Sequence, residues 1–185
     1  IVVGVPGYSS NTGRAYVYCG GSSMNDTADV TMTGETTSNG FGISVASAGD
    51  VNGDGYSDIV VGAQDYSNHT GRAYVYYGGS SMNDTADVTM TGEAAGNEFG
   101  VSAASAGDVN GDGYSDVVVG APLLFDRTGR AYVYYGGSSM NNTADVMMTG
   151  ETKTNDFGSS VASARDVNGD GYSDVVVGAP AYSAG

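Results

Sequence analysis

The chain has 185 residues, 31 of them glycine and 14 tyrosine, with no tryptophan and a single cysteine. Its formal charge of −15 leaves no basic stripe to meet phosphates, which argues against nucleic acid and anionic membrane as partners. No apolar run reaches the length of a membrane span, so no membrane insertion is expected. No signal peptide is visible and the first residue is Ile1 rather than Met, as in a mature or trimmed fragment.

One template is written repeatedly, over residues 1–58, 59–116 and 117–174, with 175–185 beginning a fourth copy. Periodicity on this scale is the mark of a repeat architecture. In chain order, Ile1 to Gly4 is a short apolar strand. Cys19 stands where the sister units have Tyr77 and Tyr135 and reads as a packing substitution; alone, it allows no internal disulfide. An acidic loop follows at Asp50–Asp58. Asp87-Val88-Thr89-Met90-Thr91 alternates apolar with polar, the pattern of a half-exposed outer strand. Phe99 to Ala106 is a strand of small side chains, suited to close approach at the inside of a radial array. A second acidic loop, Asp108–Asp116, leads to Val117-Val118-Val119-Gly120-Ala121, apolar at successive positions and so covered on both faces. A loop to Gly129 precedes Gly129–Tyr135, rich in strand formers. Gly136-Gly137-Ser138-Ser139 turns the chain, Asp145–Thr149 is again an outer strand, and a loop at 151–156 leads to Phe157. The third acidic loop, Asp166–Asp174, is followed by Val175–Gly178. Nothing has helical periodicity. The expected class is all-β: units of four antiparallel strands, each one blade of a β-propeller.

The three acidic loops are identical over nine residues, D-V-N-G-D-G-Y-S-D, and begin at Asp50, Asp108 and Asp166, a spacing of 58 residues. Oxygen side chains fall at positions 1, 3, 5 and 9, and the glycines between allow the positive-φ turn that brings alternate oxygens together. Three carboxylates in so short a loop repel one another unless a cation sits among them. Hard oxygen donors without His or Cys select Ca2+ over zinc or copper. The expected ligands are Asp50, Asn52, Asp54 and Asp58 with the Tyr56 carbonyl; Asp108, Asn110, Asp112 and Asp116 with that of Tyr114; and Asp166, Asn168, Asp170 and Asp174 with that of Tyr172. That is about one Ca2+ per complete repeat. An EF-hand opens similarly but takes Glu at position 12 between helices; here that position holds Val61, Val119 and Val177 within strands.

Phe41-Gly42, Phe99-Gly100 and Phe157-Gly158, with Gly120-Ala121-Pro122 and Gly178-Ala179-Pro180 bracketing the acidic loops, resemble FG-GAP repeats. These are the units of the seven-bladed propeller at the head of integrin α-subunits and of related bacterial and archaeal surface proteins. The resemblance spans essentially the whole chain; Gly62-Ala63-Gln64 lacks the proline and Gly4-Val5-Pro6 the alanine. It implies that the acidic loop joins the first two strands of a blade and binds calcium on one face, while a protein or glycan ligand meets the opposite face. Extracellular calcium fills even weak sites, which implies an extracellular or cell-surface location. Asn25, Asn68, Asn83 and Asn141 head N-x-[ST] sequons, meaningful only in a eukaryotic secretory pathway.

Three repeats do not close a propeller, which takes about four to eight blades. The end fragments are complementary, so one expectation is a homodimer completing a six-bladed ring, with the C-terminal strands of each chain entering the first blade of the other. The other is a piece of a longer seven- or eight-bladed chain. Divergence between units concentrates in the loops away from the acidic turns, giving candidate partner-binding residues Tyr8, Tyr66, His69, Leu123, Leu124, Phe125, Arg127 and Lys153, with Leu123–Phe125 as an apolar anchor. Unconstrained drift of surface loops produces the same pattern. One His, one Cys and no nucleophile motif leave nothing on which to build catalysis. The expected function is therefore a non-catalytic calcium-stabilised binding, adhesion or self-assembling scaffold module. The alternative is an accessory propeller of a secreted carbohydrate- or lipid-cleaving enzyme whose catalytic domain is not in this chain.

Overall fold

A strand that is apolar at every position must be covered on two sides, and the second strand of each unit sets the arrangement of the whole chain. The computed structural model describes residues 1–182. The first sheet holds β1 (Val2–Val5), β2 (Arg14–Val17) and β3 (Val30–Thr33). The second is a four-stranded meander of β4 (Phe41–Gly49), β5 (Asp58–Ala63), β6 (Arg72–Tyr76) and β7 (Val88–Thr91). The third repeats it with β8 (Ser102–Gly107), β9 (Asp116–Ala121), β10 (Arg130–Tyr134) and β11 (Val146–Thr149). β12 (Ser160–Arg165) and β13 (Asp174–Gly178) pair as the fourth. All strand pairs within the sheets are antiparallel. The small-residue strands pack in succession, β4 against β8 and β8 against β12. The sheets have the form of propeller blades, and no ring is closed among the described residues.

Every residue of β5 and β9 is buried, but the two faces of each strand belong to different cores. Ile59, Val61 and Ala63 face Ala15, Val17 and Met32 of the first sheet, whereas Val60 faces the third. Val117, Val119 and Ala121 look back to the second sheet and Val118 forward to the fourth. The next strand sorts by size: Tyr74 and Tyr76 point back, Ala73 and Val75 forward. Fully burying one aliphatic side chain contributes about 1.5–3 kcal/mol, so each interface carries much of the stability of both sheets that make it.

Phe41 and Phe99 are the wedges between sheets, 1% and 0% exposed. Each meets two tyrosines edge-on, Phe41 with Tyr74 and Tyr76 at centroid distances of 5.4 and 6.4 Å. The expected strand from Phe99 in fact begins at Ser102: Phe99 instead bridges in parallel to Gly71, and Gly100 at φ +86° turns the chain into β8. Phe41 and Ser44 are likewise separated by a register shift. The penultimate residue of β5, Gly62, has a different job. A Cβ on Gly62 would stand 1.9 Å from the Gly100 carbonyl oxygen, and one on Gly120 would stand 1.9 Å from that of Gly158. Main chain therefore lies directly on main chain between consecutive sheets.

Polar ties cross the same interfaces. Glu35 accepts from Arg72 at 2.8 Å and from the Tyr74 hydroxyl at 2.9 Å; Glu93 repeats this with Arg130 and Tyr132, both at 2.7 Å. Cys19 is exposed, contrary to its expected packing role, and only its backbone N–H is engaged, with Asp29. Gly62→Ala should lower stability in urea denaturation by about 1–3 kcal/mol or more, because the main chain it would meet cannot move aside. Gly20→Ala, whose Cβ meets nothing within 4 Å, should change stability by no more than about 0.5 kcal/mol.

Candidate functional site

The acidic loops join the first and second strands of the second, third and fourth sheets. Short Asp and Asn side chains bond the backbone a few residues on and so write a tight turn without regular secondary structure. Asp50 Oδ1 accepts from Gly53 N at 2.7 Å and Asp54 N at 3.1 Å, and its Oδ2 from Gly55 N at 2.9 Å. Asn52 Oδ1 accepts from Asp54 N at 2.9 Å, and Asp54 Oδ1 from Tyr56 N at 2.9 Å. The loops starting at Asp108 and Asp166 repeat the pattern. Gly53 and Gly55 sit at φ +80° and +87°, the left-handed values this wrapping demands. In the third loop these amides hold the Asp166 carboxyl below the usual carboxylate range, Gly171 N–H first.

The ninth residue is placed differently. Asp58 and Asp116 are fully buried at the start of β5 and β9. Asp58 Oδ2 accepts from Val51 N and Oδ1 from Gly78 N, both at 2.7 Å, which staples the loop to the following hairpin; Asp116 does the same with Val109 and Gly136. Burial pushes both carboxyls above the ordinary range, against those two N–H donors, and the neighbouring carboxylates, Asp54 and Asp50 or Asp112 and Asp108, push the same way. Asp174 is only partly buried and keeps the first of these bonds, from Val167.

Successive loops touch. Ser115 N donates to the Asp50 carbonyl at 2.9 Å and Ser173 N to that of Asp108 at 2.8 Å. The Tyr114 ring lies 2.5 Å from where a Cβ on Gly53 would stand, and Tyr172 is placed the same way at Gly111. The sequence-predicted oxygens are thus brought to one rim. Among the described residues no three His, Cys, Asp or Glu side chains are grouped as a metal cage. A cation here would have to draw the rest of its donors from the Asn amide oxygen and main-chain carbonyls. The donor set is oxygen only; Asp54 and Asp112 are exposed, Asp50 and Asp108 half-buried, and Asp58 and Asp116 buried at a cost, which fits a hard divalent ion.

The loops predicted to carry a partner lie at the opposite strand ends. Each includes three successive left-handed residues: Ser9–Asn11, Ser67–His69 and Phe125–Arg127. Their carbonyls take the amides of the inter-sheet loop, Gly96 N to Asn68 O and Glu98 N to His69 O. Tyr8 and Tyr66 lie under the guanidinium groups of Arg14 and Arg72, 3.9 and 3.8 Å from the ring centroids. His69 Nδ1 is 3.0 Å from Asp65 Oδ1, Arg127 Nε bonds Asp156 at 2.8 Å, and Lys153 bonds Asp126 at 2.7 Å. The apolar anchor is corrected: Leu124 is buried in the core, 3% exposed, and Leu123 is half-buried, so only Phe125 is presented to solvent, at 56%. Leu124 takes the place of Tyr66, and without the ring's polar tip it is drawn inward. Sequence reading passed over Asp65 and Thr36–Asn39, which line a cavity on this rim. The signal available was that Asp65 aligns with Gly7 and Leu123.

The sequence profile of the FG-GAP repeat matches residues 41–76, 99–134 and 157–185. The chain is 36% identical over 151 residues to integrin alpha-6 of Gallus gallus, covering 78% of this chain and 14% of that protein. It is 37% identical over 152 residues to integrin alpha-5 of Xenopus laevis, covering 76% and 14%. Against integrin alpha-11 of Homo sapiens the identity is 38% over 189 residues, covering 96% and 16%. The chain therefore spans under one-fifth of the length of these relatives. With its Phe-Gly wedges, its Gly-Ala contacts and its profile match in three successive units, the chain belongs to the FG-GAP repeat family.

Proposed function

We propose that the chain is a calcium-stabilised, non-catalytic binding module of an extracellular or cell-surface protein, with metal loops on one rim and ligand loops on the other. The observation that carries this is the buried Asp58 and Asp116. The fold takes a carboxylate out of water beside two others, and a cation is what makes that arrangement favourable. Asp50, Asn52, Asp54 and Asp58 would hold the ion in the first loop, with the Tyr56 carbonyl. Asp108, Asn110, Asp112, Asp116 and Tyr114 would do so in the second, and Asp166, Asn168, Asp170, Asp174 and Tyr172 in the third. The ion supplies charge compensation rather than chemistry. The protein's own residues do the rest: Asp50 wraps the turn, and Asp58 ties it to the next hairpin. The likeness to integrin alpha chains supports an adhesion-related role and the surface location, and among the described residues no helix is long and apolar enough to cross a membrane. Service as the accessory propeller of a secreted enzyme remains the alternative, distinguished by turnover of a polysaccharide or lipid by the parent protein.

Each site with a Kd about 100-fold below the ambient calcium concentration adds roughly 2.7 kcal/mol. EDTA should therefore lower the melting temperature sharply in calorimetry. Asp54→Ala, Asp112→Ala and Asp170→Ala together should abolish that response; a melt indifferent to calcium in the unaltered chain overturns the metal reading.

A second reading concerns self-association. Val3, Val5 and Val176 are 42%, 38% and 54% exposed on the outermost sheets, and β1 has an unpaired edge where β5 and β9 are paired on both sides. Glu35 and Glu93 each bridge to Arg and Tyr of the following sheet; Glu151 makes no such bond among the described residues, and Arg14 and Tyr16 receive none. These are matching halves of one contact. Two chains paired through them in a six-bladed ring should give a dimer mass in native mass spectrometry, and a stable folded monomer overturns the pairing.

A further inference from the structure

On the rim opposite the acidic loops, where the first and second sheets meet, Thr36–Asn39 and the turn Asp65–His69 enclose a cavity of about 460 Å3. Every residue lining it carries a hydroxyl, amide, carboxylate or imidazole, and no purely apolar side chain lines it. Asn39 is 1% exposed; its Oδ1 accepts from the Thr36 hydroxyl at 2.9 Å, while its Nδ2 is buried without a hydrogen-bond partner. Asn97 Nδ2, its counterpart in the next unit, is likewise buried without a partner, so this donor is a feature of the repeat, and what sets the first cavity apart is its lining. Asp65 Oδ1 lies 3.0 Å from His69 Nδ1. With Nδ1–H donating to the carboxylate, the imidazole presents Nε2 as an acceptor.

The sister units act as an internal control. At the equivalent place between the second and third sheets, Thr36, Thr37 and Ser38 become Ala94, Ala95 and Gly96, and Asp65 and His69 become Leu123 and Arg127. The backbone there is the same: Asn97 is buried as Asn39 is, and Phe125–Arg127 take the left-handed φ values of Ser67–His69. The fold therefore does not need the hydroxyls, the carboxylate or the imidazole of the first cavity.

We propose that this cavity binds a saccharide. Donors and acceptors are interleaved and no Lys or Arg lines the site, so phosphate and other anions meet an uncompensated Asp65, and an apolar ligand would bury unsatisfied polar groups. A neutral ligand that donates and accepts at each hydroxyl satisfies the lining, and the volume falls in the range of small-molecule sites. This rests on the reading of the chain as a binding module and names its ligand class.

The test is saturation-transfer NMR of the methyl glycosides of glucose, galactose, mannose and the N-acetylhexosamines against the whole chain. Bacterial production leaves Asn68, which also lines the cavity within its sequon, without a sugar. Transfer to one or more glycosides is expected. T37A/S38G and D65L/H69R write residues of the sister units into the first cavity and leave the Thr36–Asn39 bond in place. Each should keep the melting temperature and weaken that glycoside about tenfold or more, the loss of one or two net hydrogen bonds. No transfer to any glycoside, or unchanged affinity in both variants, overturns the proposal. A chain that melts independently of calcium yet binds glycoside through these residues removes the metal reading and upholds this one.

Discussion

The structure depends on strands that are buried from two sides at once. β5 gives Ile59, Val61 and Ala63 to one interface and Val60 to the next, so neither half of it is satisfied until a sheet stands on each side. A single four-stranded unit cannot meet that demand; a row of them can, and each added unit covers its predecessor. The contact is close because Gly62 and Gly120 let the main chain of one sheet rest on that of the next. Phe41 and Phe99 fill the wider part of the same wedge. The paired aromatic-glycine and glycine-alanine motifs are thus the large and small ends of one joint.

Once the joint is fixed, the two rims fall under different constraints. On one, the nine-residue loops are chained through Ser115 to the Asp50 carbonyl and through Ser173 to that of Asp108. Each loop is also part of its neighbour's surroundings, with a tyrosine of one over a glycine of the other. A substitution there disturbs two units, which gives a physical reason for three identical copies. On the other rim the turn carbonyls are satisfied by amides of the inter-sheet loop, a backbone arrangement indifferent to side chains. Gly7, Asp65 and Leu123 can occupy one position there because the main chain does the holding. Divergence is tolerated on that rim, and chemistry such as that of Asp65 and His69 is free to collect on it.

Strand identity was legible where periodicity was strong. The unbroken apolar run Val117–Ala121 predicted a strand covered on both faces, and β9 is one. The alternation of Asp87–Thr91 predicted an outer strand, and Val88 and Met90 are buried while Thr91 is exposed. Periodicity misled where a glycine breaks the strand without breaking the composition. Phe99 belongs to a parallel bridge before the turn at Gly100, and small residues on both sides hide the boundary. The apolar anchor failed because the chain turns left-handed at Phe125, just after the two leucines, so Leu124 packs inward and only Phe125 faces outward.

By itself the sequence determined the unit, its strands and the oxygen-rich turns, because these rest on local spacing: period-2 burial, alternate Asp and Asn, and glycine where φ is positive. Only the tertiary structure decided which acid of each turn is buried, which loops touch, and that Thr36–Asn39 meets Asp65–His69 around a cavity. Those residues come from different sheets. Their meeting is set by how one blade leans on the next, and no local pattern encodes it.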